Sequence, residues 1–183
     1  GTGGLMASAD ARAKNIRLVC FDVDGTLTDG RLSFDENGAE TKSFHVHDGQ
    51  GLRLLEDCGI RVALITARHS RIVQARGRDL RLQHVFDGVT DKLAVVRELC
   101  TAEGITLDEV AYMGDDYPDL ACLQSVGLPA CPADALTPIQ ATALWTSRFN
   151  GGHGAAREFC DFILSIQGKD EALLHRFSNH ELP

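Results

Sequence analysis

Phe21-Asp22-Val23-Asp24-Gly25-Thr26-Leu27-Thr28-Asp29-Gly30 ends the first apolar run of the chain, residues 16–21, and its reading decides the fold. A strand-sized apolar run that stops at carboxylates and glycines is a buried strand delivering polar groups at its carboxyl end. Further runs of this kind occupy residues 61–66, 83–86, 110–113 and 128–131, and a weaker one covers 143–146. Amphipathic, helix-like stretches lie between or after them at 51–58, 70–78, 91–103, 118–125 and 154–167. Apolar runs alternating with amphipathic ones predict βαβ units. The expected fold is therefore a three-layer, Rossmann-like α/β domain with a parallel sheet. One insertion breaks the rhythm. Residues 31–34 and 40–46 alternate in strand fashion around Asp35-Glu36-Asn37-Gly38, which predicts a β-hairpin over 31–46. A lone two-stranded hairpin is marginal in water, so it is expected to pack against something.

The bulk numbers narrow the classes. A chain of 183 residues fits one domain, placed here at 9–183. Gly1-Thr2-Gly3-Gly4-Leu5 before Met6 reads as an expression remnant, and residues 1–8 are set aside as that remnant and a disordered start. The net charge of −8 speaks against nucleic acid and anionic membrane surfaces as partners. No apolar run is long enough to span a membrane, and no signal-peptide pattern precedes the first strand. Cys20, Cys58, Cys100, Cys122, Cys131 and Cys160 are scattered without a CxxC pair, which predicts free, mostly buried thiols in a reducing cytoplasm.

Asp22 and Asp24, two residues apart just past a buried strand, are costly unless something positive sits between them. Magnesium meets that need, because it takes hard oxygen ligands and shares its shell with phosphate. A solvated acidic turn is the competing reading of this pair alone. Later segments shift the balance. Leu64-Ile65-Thr66-Ala67-Arg68 places a hydroxyl at the end of the second run. Asp91-Lys92 opens a helix with a cation suited to a phosphoryl group, and Met113-Gly114-Asp115-Asp116-Tyr117-Pro118-Asp119 supplies further acidic ligands. In an open α/β sheet these strand ends converge on one crevice.

These four segments, in this order, resemble the motifs of the haloacid dehalogenase superfamily. The resemblance implies that Asp22 attacks phosphorus. Asp24 would protonate the leaving alcohol and then activate water. Asp22, the Asp24 main-chain carbonyl and Asp115 would hold Mg2+, with Asp116 and Asp119 supporting the site. Thr66 and Lys92 would bind the transferring phosphoryl group. Asp24 must begin protonated, and burial beside a second carboxylate is expected to favour that.

Only 44 positions separate Asp22 from Thr66 and 26 separate Thr66 from Lys92, so neither gap holds a cap domain. Thr28-Asp29-Gly30, the hairpin, His47-Asp48-Gly49-Gln50-Gly51-Leu52 and Gly151-Gly152-His153-Gly154-Ala155-Ala156-Arg157-Glu158 resemble the 3-deoxy-D-manno-octulosonate 8-phosphate phosphatases of lipopolysaccharide synthesis. That resemblance implies a capless homotetramer whose hairpins help cover neighbouring sites. It assigns Thr26, Arg68, Gly154 and Arg157 to the substrate, with Arg157 meeting a substrate anion or another subunit. The chain departs from the family at His153, commonly Arg, and at Ala67, commonly Gly. His45 and His47 add a polar pair near the end of the hairpin. A phosphatase for a neuraminate or deaminoneuraminate 9-phosphate is the nearest rival, since it shares the architecture.

Two other classes compete. A receiver-type signalling module also combines acidic residues, Thr, Lys and magnesium, but its phosphoacceptor follows the third strand rather than the first. A catalytically silent oligomeric scaffold has no reason to keep Asp22, Asp24, Thr66, Lys92 and Asp115 together.

Overall fold

The computed structural model describes residues 9–180; the expected remnant at 1–8 lies outside the described residues. The strands are β1 (Leu18–Phe21), β2 (Ser33–Phe34), β3 (Glu40–Thr41), β4 (Arg61–Ile65), β5 (His84–Phe86), β6 (Val110–Met113), β7 (Leu128–Cys131) and β8 (Trp145–Thr146). The helices are α1 (Val46–Asp57), α2 (Arg71–Asp79), α3 (Lys92–Glu103), α4 (Leu120–Ser125), α5 (Thr137–Thr142), α6 (Ala155–Ile166) and α7 (Asp170–Ser178). A helical turn at residues 9–13 precedes β1.

Side-chain alternation within the strands produces the layers. Val19 and Phe21 of β1 join Val62, Leu64, Ala111 and Met113 in one core with Leu52 and Leu55 of α1 and Phe159 and Ile163 of α6. Leu18 and Cys20 join Ala63, Ile65, Val110 and Tyr112 in a second core with Val96 and Leu99 of α3, Leu123 of α4 and Ile139 of α5. A strand buried on both faces is the mark of a parallel sheet covered by helices. Six strands pair in parallel in the order β5-β4-β1-β6-β7-β8. From the central β1 the chain builds outward first through β4 and β5, then through β6, β7 and β8. The crevice between β1 and β6 is therefore the switch point of the sheet.

β6 and β7 fall on the expected residues. The run expected over 143–146 pairs only at Trp145–Thr146, and α5 and α7 had no clear sequence signal. The hairpin differs more. Its pairing covers only Ser33↔Thr41 and Phe34↔Glu40, closed by Asp35, whose Oδ1 accepts the N–H groups of Asn37 and Ala39. The expected second arm over 40–46 stops at Thr41, because α1 already begins at Val46 rather than 51. His45 caps that helix, with its Nδ1 accepting the His47 N–H at 3.0 Å. Gly49 and Gly51 hid this first turn, since glycine disfavours helix. Their reason is packing: a Cβ at Gly49 would run into Arg76 of α2, and one at Gly51 would lie 3.0 Å from Arg157 Cδ and 3.1 Å from Cys160 Cβ on α6.

α6 begins behind Gly154, which has no side chain to cap it. Asp48 of α1, 2% exposed, supplies the missing acceptor through Oδ1 to the Arg157 N–H at 3.0 Å. Just before α6, Gly152 donates its N–H to the Thr26 carbonyl at 3.0 Å, and a Cβ at Gly151 would fall 1.9 Å from the Gly25 carbonyl oxygen. The glycine-rich stretch thus packs against the back of the loop after β1. All six cysteines are free, and five are buried. Among the described residues no helix is long and apolar enough to cross a membrane.

Gly151→Ala must push this stretch off the 25–29 loop. We expect a loss of about 1–3 kcal/mol in stability, read by urea unfolding.

Candidate active site

Asp22 adds one more rung to the sheet, its N–H donating to the Met113 carbonyl at 3.0 Å. Its carboxylate therefore emerges where β1 and β6 end. Thr66 follows β4 and is tied on both sides, its N–H to the Phe86 carbonyl at 2.9 Å and its carbonyl from the Val89 N–H at 3.1 Å. Lys92 opens α3 behind Asp91, whose carboxylate caps the helix through the Ala94 N–H at 3.0 Å. Asp115 and Asp119 follow β6. The four segments meet at one end of the sheet.

Lys92 Nζ donates to Asp22 Oδ1 at 2.8 Å and to Asp119 Oδ1 at 2.9 Å, and all three residues are buried. Tyr112 Oη donates to the same Asp119 oxygen at 2.6 Å. The N–H groups of Asp115 and Asp116 bind Asp119 Oδ2 at 3.0 and 3.3 Å. Removing one partner of such a buried ion pair costs on the order of 3–5 kcal/mol. Charges here are unbalanced, with Asp22, Asp115 and Asp119 facing one ammonium. Burial raises the Asp22 carboxyl well above its usual range, the charge of Asp119 adds to this, and Lys92 opposes it. Burial pushes Asp115 up to about 6, against a hydrogen bond with Asp22 and with help from the charge of Asp119. Burial works against the Lys92 charge, but the two carboxylates outweigh it and hold its pKa above the ordinary lysine value.

Surplus buried negative charge is what a divalent cation neutralises. Oxygens of Asp22, Asp115 and Asp119 lie within 4.8 Å of one another, and Asp115 Oδ1 is buried without a partner. A Cβ at Gly25 would sit 1.9 Å from Asp115 Oδ2, so only glycine leaves that carboxylate its place. Asp119 already accepts four hydrogen bonds, which fits a supporting role rather than a direct ligand. Asp116 is exposed and caps the turn after β6 through the Tyr117 N–H.

Asp24 differs from the expectation. The charged groups on its carboxylate are cations: Lys42 Nζ at 2.6 Å from Oδ1 and Arg68 Nε at 3.9 Å from Oδ2. Both also bind Glu40, at 3.0 and 3.2 Å. The hairpin thus packs back onto the domain through charge, while its apolar Leu32 and Phe34 remain exposed. Thr26 is fully buried, and its Oγ1 has no partner. The other expected residues gather elsewhere. His45, His47, His153, Gly154 and Arg157 line a cleft of about 710 Å3 whose lining includes none of Asp22, Asp24, Thr66, Lys92 or Asp115. The Arg157 guanidinium is bonded to Asp161 and to the His47 carbonyl. Lys42 and Tyr112 escaped the sequence reading. Tyr112 carried a usable signal, since a tyrosine in an otherwise apolar buried strand needs a polar partner. Lys42 carried none.

A family model described as haloacid dehalogenase-like hydrolase matches residues 82–159. The chain is 41% identical over 171 residues to the 3-deoxy-D-manno-octulosonate 8-phosphate phosphatase of Escherichia coli K12, covering 93% of this chain and 91% of the relative. The chain belongs to that phosphatase family. Among solved structures, a hypothetical protein of Xanthomonas campestris is 53% identical, with TM-score 0.92 and 94% of each chain covered. The 3-deoxy-D-manno-octulosonate 8-phosphate phosphatase of Moraxella catarrhalis, in complex with magnesium, phosphate and KDO, is 37% identical with TM-score 0.91, over 94% of this chain and 99% of that one. In this chain Asp22, Asp115 and Asp119 form the acidic cluster that could hold a metal ion.

Saturating Mg2+ should raise the melting temperature of the wild type, by about 2.7 kcal/mol of added stability at 100 times its Kd. Below about pH 6 Asp115 is protonated and offers no charged oxygen, so the shift should shrink as pH falls through that value. Asp115→Asn should remove most of it; a full shift in that variant counts against the site.

Proposed function

We propose that this protein is a Mg2+-dependent phosphatase that hydrolyses 3-deoxy-D-manno-octulosonate 8-phosphate to the free sugar acid and phosphate, in lipopolysaccharide precursor synthesis in the cytoplasm. The observation that carries the reading is Lys92, buried and bonded to both Asp22 and Asp119 at the switch point of the sheet. An ammonium placed there draws a phosphate dianion to a carboxylate that would otherwise repel it.

In the first half-reaction an Asp22 oxygen bonds to phosphorus as the bond to the sugar oxygen breaks, and the Asp24 proton passes to that leaving oxygen. In the second, water adds to phosphorus, Asp24 takes its proton, and the Asp22 carboxylate is released with phosphate. Covalent capture on Asp22 divides one difficult displacement into two easier ones. Lys92 and Thr66 hold the equatorial phosphoryl oxygens. Asp22, Asp115 and the Asp24 carbonyl, with Asp119 and Asp116 in support, would hold Mg2+, which would offset charge on the phosphoryl group. Arg68 lies on the loop after β4 that frames this site and is proposed to meet the substrate; Thr26 is fully buried, so its proposed part is to support the loop after β1 from beneath. Gly154 and Arg157 line the other cleft, so their proposed part is at a contact between subunits of a homotetramer.

Asp22→Asn should lower phosphate release about 10³-fold or more in a chain that still folds, with a lowered melting temperature because Lys92 loses one of its two charged partners. Catalytic efficiency across eight- and nine-carbon sugar-acid phosphates should be highest for the eight-carbon ester. A preference for neuraminate 9-phosphate would move the assignment to the rival substrate. Light scattering should give the mass of four chains; a monomer at working concentration would remove the assembly from this reading.

A further inference from the structure

Lys42 follows β3 on a segment whose neighbours are largely exposed, yet its side chain is only 1% accessible, against 23% for Asp24 and 18% for Glu40. A surface lysine ordinarily runs its stem along the protein and leaves its head in water. Here the head is withdrawn between two carboxylates, donating to Asp24 Oδ1 at 2.6 Å and Glu40 Oε1 at 3.0 Å. Glu40 is itself fixed from the other side by Arg68 Nη2 at 3.2 Å. An exposed ion pair is held loosely and contributes little. A shielded, short, charge-assisted bond with a braced partner fixes geometry.

We propose that Lys42 is a positioning residue for Asp24. By holding Oδ1 it sets the plane of the carboxylate and leaves Oδ2, which has Arg68 Nε at 3.9 Å, beyond hydrogen-bond reach, as the oxygen that meets the leaving group and later the water. Lys42 neither gains nor loses a proton in either half-reaction; Asp24 carries the proton as described above. The hairpin is thereby part of the acid–base machinery of its own chain. The inference rests on the reading of Asp24 as acid and base.

The test compares kcat/KM, which reports steps up to release of the alcohol, on two esters at saturating Mg2+. The alkoxide of 3-deoxy-D-manno-octulosonate 8-phosphate leaves poorly without a proton, whereas the phenolate of p-nitrophenyl phosphate leaves readily. Lys42→Met should lower kcat/KM on the sugar ester about tenfold or more, carried by kcat, and on the aryl ester no more than about threefold. Lys42→Arg, which keeps the charge and the donor, should recover the sugar ester to within about threefold of wild type. Equal losses on both esters, no loss, or a loss carried by KM alone would overturn the proposal. Should Lys42→Met be unfolded at the assay temperature, Lys42→Gln decides by the same criteria. Asp24→Asn, assayed alongside, should discriminate between the esters more strongly than Lys42→Met. If it does not, the assignment of Asp24 fails; if it does and the Lys42 variants do not, the positioning role alone fails.

Discussion

The ammonium of Lys92 is the constraint around which the rest of the site is arranged. A buried lysine stays charged only if its partners outweigh its loss of hydration, and Asp22 and Asp119 do so. That solution leaves surplus negative charge, because Asp115 joins the same cluster. The surrounding groups respond to it. Tyr112 and two backbone N–H groups saturate Asp119, so one carboxylate becomes scaffold while Asp22 and Asp115 stay available. The raised affinities of Asp22 and Asp115 for protons record the same imbalance that a magnesium ion relieves.

The sheet makes this arrangement possible. Parallel strands end together, and the reversal of strand order at β1 opens a crevice between its end and that of β6. Groups far apart in the chain arrive there on rigid supports: Asp22 on β1, Thr66 on β4, Asp115 after β6, and Lys92 on the first turn of α3. The loop after β1 is backed by Gly151 and Gly152, whose lack of side chains lets the chain before α6 lie directly on it. α6 is in turn held by Asp48 of α1, a buried carboxylate serving another helix as a cap.

With no cap domain, the hairpin is the structure nearest to a lid. It is too short to have a core, and its apolar residues Leu32 and Phe34 face outward. What ties it to its own domain is the charged seam of Asp24, Lys42, Glu40 and Arg68. Such a seam works only because Lys42 is shielded from water, since screened surface pairs hold little.

The sequence by itself determined the layered fold and which residues the strand ends carry toward one crevice. Both rest on local rules: strands buried on two faces read as apolar runs, and Ser70 and Asp91 announce the helices they cap. Asp22, Thr66, Lys92 and Asp115 were legible because each sits at the end of such an element. Where a residue's role depends on something distant in the chain, the local signal fails. Two glycines disguised the start of α1, because their reasons lie on distant elements, Arg76 of α2 for Gly49 and α6 for Gly51. Tyr112 is core by its place in the strand, and its bond to Asp119 exists only in the fold. The separation of Arg157 and His153 from Asp22, Asp24 and Asp115, and the reach of Lys42 to Asp24, were decided by tertiary structure alone. Lys42 and Asp24 are 18 positions apart in sequence, and only the fold of the hairpin brings them to 2.6 Å.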